Sequence, residues 1–280
     1  MPNEAQLKQQ LQTIAANEFN IPADFDLFPL ALNMLQHNGS IDSELRDGLI
    51  YSAFGTWIIK HKLFTPAQLT QLLEITLDDQ HLFYRIGEFE TDSVFTRSFS
   101  MLMLPLILIR HCEESFLTAA HIKQIKSKLF DYVRLEQDLR GYVPEKGWAH
   151  AAAHGADAFD DLALCPELDA ADLLDLLTQL NTWITTETTP FVHEEDERFV
   201  TAVISIRSRK LIAERDIEKW IRALATQVKE AKHPSPTNRI YINVKNFLRS
   251  LYFRLYRKNS ADPLCAVINE ALAAINNFKV

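Results

Sequence analysis

The sequence predicts an all-α protein, and three observations support this fold class. Only 7 glycines and 11 prolines occur in 280 residues, so there is little material for the tight turns that join β-strands. Good helix formers, above all Leu, Ala, Glu, Lys and Gln, dominate the periodic segments. Apolar residues also recur three and four positions apart, as at Leu173, Leu177 and Leu180. We therefore expect helices almost throughout the chain.

Two helix starts are recognised from their capping residues. Thr65 is a good N-cap, Pro66 suits the first turn, and Gln68 completes a capping box, which predicts a helix that runs to about Leu77. The sequence DAAD at 169–172 predicts another helix, which runs to about residue 182. Similar helices are expected near residues 4–16, 26–37, 119–137, 213–229 and 263–278.

A second series of helices is expected between these, and its members begin near Ser43, Thr91, Gly147, Glu194 and Arg239. Successive members are roughly 45 to 55 residues apart, the length of one two-helix repeat of the HEAT or armadillo kind. The spacing predicts a HEAT/armadillo-like α-solenoid of about six helix pairs, with a closed helical bundle as the competing arrangement. We expect residues 1–280 to form a single elongated helical-repeat domain, with KHPSPTNR (Lys232–Arg239) as a loop inside it.

Charge and cysteine content exclude several classes of protein. A net charge of −8 argues against a general nucleic-acid binder, which needs a basic surface to displace counterions. The three cysteines, Cys112, Cys165 and Cys265, are widely spaced and include no CxxC pair. A disulfide framework or a zinc knuckle is therefore not expected, and the cysteines are predicted to be buried thiols in a reducing compartment.

The sequence offers little for membrane insertion or export. Its first residues show no basic segment followed by an apolar one, so we expect no secretion signal. The longest apolar run, Phe99–Ile109, is about half the length needed to cross a bilayer and contains Pro105. A buried core helix explains this run better than a transmembrane segment. We expect a cytoplasmic protein.

Polar residues form a stripe on the helix expected to begin near Gly147. At about 100° per residue, His150, His154 and Asp157 fall within roughly 60° of one another. Comparable stripes on other helices of the second series are marked by Asp47, Tyr51, Asp92, Arg97 and Arg198. Equivalent helices of a solenoid stand side by side, so stacking would bring these stripes into one concave groove.

One hypothesis for this groove is a metal site. The spacing H-x-x-x-H places two imidazoles one turn apart, and Asp157 completes a two-histidine, one-carboxylate ligand set with His150 and His154. A divalent metal there would suit a metal-dependent hydrolase. Ala151 stands where a zincin has its catalytic glutamate, so that class of protease is excluded.

The main hypothesis is a non-catalytic binding or scaffold protein, whose groove takes a small polar ligand or a peptide or protein partner. Arg97, Arg140, Lys146 and Arg198 would supply charge, and the histidines would supply hydrogen bonds. A third hypothesis is structural, with His150 and His154 joining neighbouring repeats. The sequence contains no G-x-S-x-G elbow and no glycine-rich phosphate loop, so we assign no catalytic residue.

Two longer blocks carry a family resemblance. GEFETDSVFTRSFS (Gly87–Ser100) and DLRGYVPEKGWAHAAAHGAD (Asp138–Asp157) resemble a bacterial family of proteins of unknown function, and the weaker LRDGLIY, EDERF and NFLRSLYF also fit. The resemblance implies an all-helical fold and no assigned activity. It marks as signature positions Asp92, Arg97, Arg140, Lys146, Gly147, Trp148, His150, His154 and Asp157.

Overall fold

A computed structural model describes residues 3–231, 238–276 and 278 of the chain. These residues are predominantly helical, which confirms the all-α prediction. Most of the predicted loop Lys232–Arg239 lies outside the described residues.

The helices and strands follow one another in a simple order. The α-helices are α1 (Glu4–Ala15), α2 (Leu27–Gln36), α3 (Ser52–Gly55), α4 (Pro66–Thr76), α5 (Ser93–Met101), α6 (Met103–Glu113), α7 (Ala119–Leu135), α8 (Ala151–Leu164), α9 (Ala170–Ile184), α10 (Glu195–Ser208), α11 (Glu214–Glu230), α12 (Arg239–Lys258) and α13 (Pro263–Ile275). Two π-helical segments, Glu44–Tyr51 and Thr56–Lys60, flank α3, and a short hairpin joins β1 (Tyr142–Val143) to β2 (Gly147–Trp148).

Local capping places the helix starts where the sequence predicts them. Thr65 accepts a hydrogen bond from the Gln68 amide, and the Gln68 side chain accepts one from the Thr65 amide. Asp169 and Asp172 make the same reciprocal pair at the start of α9. Each box satisfies amides that have no partner inside the helix, so it determines the start without tertiary contacts.

The expected helix start near Gly147 is wrong. Gly147 and Trp148 form β2, which pairs antiparallel with β1 in the register Tyr142↔Trp148, and α8 begins only at Ala151. The backbone has positive φ at Gly147 (81°) and at His150 (50°), which no α-helix tolerates. The hairpin therefore replaces the first turn of the predicted helix.

The chain divides into two compact units, Met1–Cys165 and Pro166–Val280. In the first unit, α8 packs against α5, α6 and α7, and its buried alanines permit a close approach. In the second unit, α13 packs against α11 and α12, and α10 packs against α9 and α12. The single elongated domain over residues 1–280 stays a prediction.

The apolar run predicted as a core helix is largely buried. Among the described residues, the 21-residue stretch Ser93–Glu113 alone is long and apolar enough to cross a membrane, and 89% of its most apolar window is buried in the fold. Pro105 lies in the first turn of α6, where its missing amide costs no helical hydrogen bond.

Two cysteines that are distant in sequence are close in the first unit. The Sγ atoms of Cys112 and Cys165 are 3.8 Å apart, although 53 residues separate them. The prediction of buried thiols holds for Cys165 and Cys265, but Cys112 is exposed.

We expect mild oxidation with diamide to join Cys112 to Cys165 in one intramolecular disulfide, with the loss of two hydrogen atoms from the thiols to diamide. Peptide mapping by mass spectrometry checks this result, and Cys112→Ser is the control that should abolish the bridge. A bridge through Cys265 would contradict the packing of α6 on α8.

Candidate functional site

Arg97 does not lie in an open groove, and this corrects the sequence-based prediction. Its side chain is fully buried and forms two bonds with the buried Glu136 carboxylate, at 2.6 and 2.8 Å. The guanidinium also donates to Ser93 Oγ at 2.7 Å and to the carbonyl oxygens of Tyr84 and Arg85. Arg97 thus ties the loop before α5 to the end of α7, because a buried guanidinium must satisfy its donors inside the protein.

Two other predicted cationic residues already have carboxylate partners. Arg140 binds the buried Asp138 carboxylate through two nitrogens, at 2.8 and 2.6 Å, and donates to the Thr91 carbonyl oxygen. The Lys146 Nζ lies 2.7 and 2.8 Å from the two oxygens of Asp92. These contacts hold the hairpin to the N-terminus of α5. Arg198 is exposed on α10 of the second unit.

The two histidines lie at the start of α8 in different environments. His154 is buried, its Nδ1 is 3.1 Å from the Ser98 carbonyl oxygen, and its ring meets the Phe99 ring edge-on. His150 is half-buried and stacks on Trp148, with ring centroids 4.3 Å apart and planes at 20°. The two imidazole centroids are 5.8 Å apart. His154 is therefore anchored in the core, and His150 supports an exposed indole.

The third predicted metal ligand, Asp157, is half-buried one turn further along α8. Within the described residues of the first unit, His150, His154 and Asp157 do not bring three ligand atoms within 4.8 Å of one another. A metal ion bound by all three would therefore need side-chain rearrangement.

Asp161, one turn beyond Asp157 on α8, is partly buried near other acidic groups. Burial, and then the nearby Asp160 and Asp157 carboxylates, raise the pKa of Asp161 from 3.8 to about 7. Because the folded protein favours the protonated form, ionisation of Asp161 destabilises the fold as the pH rises from 3.8 to about 7. The Asp161 carboxyl group therefore favours its protonated form below about pH 7.

We expect Asp161→Asn to be more stable than the parent protein above pH 7, because asparagine cannot ionise. The difference in free energy of unfolding should shrink as the pH falls from about 7 and become independent of pH below 3.8. Urea unfolding at a series of pH values measures it. Asp79→Asn, at an exposed position, is the control for the loss of one carboxylate and is compared with Asp161→Asn at each pH. An Asp161→Asn difference that does not change with pH would contradict this prediction.

A cavity of about 400 Å³ lies between the first π-helical segment and the hairpin. We call it the hairpin pocket, and its lining residues are Ser43, Glu44, Asp47, Gly48, Ser52, Tyr142, Gly147 and Trp148. Of the residues predicted to bind a ligand, it therefore contains Asp47. Tyr51 is not among the lining residues, and its ring makes an edge contact with Phe99 at 6.5 Å.

Tyr142 and Trp148 form an exposed aromatic corner at this pocket. Their ring centroids are 5.0 Å apart and their planes meet at 76°. Tyr142 is 51% exposed and Trp148 is 36% exposed, which is a large aromatic surface for solvent to cover. Register places the two side chains together, because residues paired across a short hairpin project to the same face.

Arg46 holds the two walls of the pocket together, and sequence reasoning missed it. Its side chain is fully buried, and it donates to the carbonyl oxygens of Lys146, at 2.6 Å, and Trp148, at 3.3 Å. Its guanidinium lies 4.1 Å from the Phe95 ring centroid and 4.8 Å from that of Phe99. No spacing rule identifies such a residue, because its partners lie a hundred positions away.

Gly147 lets the hairpin approach the π-helical segment closely. A Cβ at this position would stand 2.8 Å from the Ser43 Cβ and 3.3 Å from an Arg46 nitrogen. Its φ of 81° is also in the region that favours glycine. Gly147 is therefore required here for two reasons: a side chain would collide with Ser43, and the backbone conformation disfavours other residues.

Fold and site together define a predominantly helical protein whose first unit has a pocket rimmed by aromatic and acidic side chains. The chain belongs to the family described as Protein of unknown function (DUF2785), whose model matches residues 82–253. The predicted family resemblance is confirmed, and the match includes both of the long sequence blocks. LRDGLIY, with Arg46 and Asp47, precedes the matched range. Searches of curated proteins and of solved structures found no match.

Proposed function

We propose that this is a non-catalytic binding protein and that the hairpin pocket takes a small polar ligand. The observation that carries the proposal is an open cavity lined by Asp47, Tyr142 and Trp148, whose two walls are joined by hydrogen bonds from Arg46. Its volume, about 400 Å³, is in the range of small-molecule sites. π-Helical turns also occur frequently at functional sites, and one of them forms a wall here.

Pre-organisation supports a binding role. Arg46 joins the hairpin backbone to the π-helical segment, and the Lys146–Asp92 pair joins the hairpin to α5. Walls that are already in place spare a ligand the entropic cost of ordering them. Binding through the hairpin pocket therefore requires no rearrangement of the first unit.

The binding proposal is tested by ligand-observed NMR with a defined mixture of amino acids, amines, sugars and carboxylic acids. We expect at least one compound to bind the parent protein and to lose binding in Trp148→Ala. Phe253→Ala removes an exposed aromatic side chain of the second unit and is the matched control, which should bind as the parent does. Equal binding by the parent and Trp148→Ala, or no binding at all, would overturn the assignment of this pocket.

A metal-dependent hydrolase that uses His150, His154 and Asp157 is the second candidate. It is favoured by the contact between His154 Nδ1 and the Ser98 carbonyl oxygen, since metal-binding histidines commonly make such a bond through their other nitrogen. Metal analysis of untagged protein and of His150→Ala and His154→Ala tests it. Bound divalent metal that both variants lose would support this candidate, and metal-free, folded protein in all three samples would reject it.

We also propose that the helix pairs are HEAT- or armadillo-like repeats. The support is the sequence spacing of roughly 45 to 55 residues and the packing of successive helices within each unit. Small-angle X-ray scattering tests this part of the proposal. A scattering profile of a sphere-like particle would favour the closed bundle instead.

The expected setting of this function is the cytoplasm, without a nucleic-acid partner. The net charge of −8 supports the second point, because phosphate backbones repel an acidic surface. Cell fractionation tests the location, and recovery with the membrane or exported fraction would count against it. A peptide or protein partner in place of a small ligand would bind through the same exposed aromatic corner.

A further inference from the structure

We propose that the hairpin pocket selects a small organic cation, specifically an alkylated ammonium group. This inference rests on the proposed binding function and names the chemical class of its ligand. Three properties of the pocket lead to it: its charge, the arrangement of its aromatic rings, and the position of the Arg46 guanidinium.

The charge of the lining is negative. The pocket is lined by two carboxylates, Glu44 and Asp47, and by no Lys, Arg or His. Glu44 already bonds Lys8 at 2.8 Å and Gln12 at 2.9 Å. Among the described residues, the Asp47 carboxylate receives no hydrogen bond and forms no ion pair. Asp47 is also half-buried, and burial raises its pKa. A carboxylate that is partly removed from water and lacks a partner gains most from a cationic ligand.

The aromatic corner provides the complementary surface. Tyr142 and Trp148 meet nearly at right angles, so they form two walls, and a rounded cation in the corner between them can contact the face of a ring. Ring faces carry negative charge density and attract ammonium groups, and Trp does so most strongly. His150 supports the indole from one side by stacking on it. The indole is thereby held in place for a ligand.

Arg46, a cationic side chain beside the pocket, does not compete for the site. Arg46 is adjacent to Asp47 in sequence, but its side chain is fully buried and is not part of the pocket lining. Its guanidinium is directed toward backbone carbonyl oxygens and lies over the Phe95 and Phe99 rings. Its charge lowers the pKa of Asp47, but burial has the larger effect and the net shift is upward. The pocket therefore remains an acceptor of positive charge.

The volume of the pocket restricts the ligand to a small cation. A cavity of about 400 Å³ accommodates a compact molecule with a trimethylammonium head and a short polar tail. Ser43 and Ser52 line the same cavity and offer hydroxyl groups to that tail. A highly charged polyamine finds only one carboxylate without a partner.

The test compares choline with 3,3-dimethylbutan-1-ol, which has the same shape and no charge. Each is titrated into the ¹⁵N-labelled full-length protein, and the amide signals of residues 44–52 and 142–148 are followed. We expect choline to bind about tenfold more tightly than the neutral alcohol. Asp47→Asn should reduce this preference, and Trp148→Ala should weaken the binding of choline by about tenfold. Trp148→Phe retains a ring and should keep part of the affinity.

Asp79→Asn is the control for Asp47→Asn, since it removes an exposed carboxylate outside the lining, and it should bind choline as the parent does. Unfolding midpoints establish that each variant is folded. Equal affinities for choline and the alcohol, or an unchanged preference in Asp47→Asn, would overturn the cation proposal. If neutral or anionic compounds bind at Trp148 and choline does not, the binding function stands and the cation inference fails. If no compound shifts these signals, both are overturned.

Discussion

Replacing Arg97 by methionine is expected to lower the free energy of unfolding of the first unit by about 3–5 kcal/mol. The substitution leaves the Glu136 carboxylate buried without its cation, although both side chains of the pair are fully shielded from water. It also removes the donors that satisfy the carbonyl oxygens of Tyr84 and Arg85. An uncompensated buried charge is among the costliest defects in a core, because neither water nor a counterion can reach it.

Urea unfolding followed by circular dichroism measures this effect, and hydrogen exchange locates it. The loss of protection should be largest in the loop before α5 and at the end of α7. Arg134→Met is the matched control, since it removes an exposed arginine paired with Asp131, and surface pairs contribute about 0–1 kcal/mol. Replacing both partners, Arg97→Met with Glu136→Leu, should recover part of the stability. An Arg97→Met protein as stable as the Arg134→Met protein would contradict the buried pair.

The second large effect is expected for Arg46→Met. Three carbonyl oxygens, those of Ser40, Lys146 and Trp148, lose their guanidinium donor, and the hairpin loses its attachment to the π-helical segment. Burial lowers the pKa of Arg46 from 12.5 to about 10, so removal of its charge also relieves a desolvation cost. The two contributions oppose each other. We expect a net loss of about 2–3 kcal/mol, smaller than for Arg97→Met.

Hydrogen exchange of residues 142–148 is the more specific measurement for Arg46→Met. Their protection should fall by more than the global stability requires, because the substitution releases the hairpin locally. Lys60→Met, at an exposed position of the same helical stretch, is the control for loss of one positive charge and should leave hairpin protection unchanged. If hairpin protection in Arg46→Met matches that of the control, Arg46 does not hold the pocket walls together.

The helices were largely predictable because their signals are local. Capping boxes at Thr65 and Asp169 place two starts correctly, and the period of apolar residues identifies most of the others within a few positions. The hairpin was harder to predict. The stretch YVPEKGW has a turn of only three residues between two-residue strands, and alternation over so short a length cannot be distinguished from the start of a helix.

The candidate site was only partly predictable. The helical stripes predict both Asp47 and Arg97 as ligand-binding residues, but Asp47 lines the pocket and Arg97 lies in the core. Helical periodicity assigns a residue to a face, but it does not say whether that face meets water or another helix. Trp148 and Tyr142 were not predicted as ligand-binding residues, because their pairing depends on the hairpin register.

The helical class, most helix boundaries and the family are evident from the amino-acid sequence, since they depend on hydrogen bonds and side-chain patterns within a few residues. Which charged side chains are buried, and which face the pocket, depends on long-range packing. Arg97 meets Glu136 across 39 positions and Arg46 meets Lys146 across 100, so their partners exist only once the chain has folded. Burial then makes those contacts strong, because a guanidinium without water must bond to the protein.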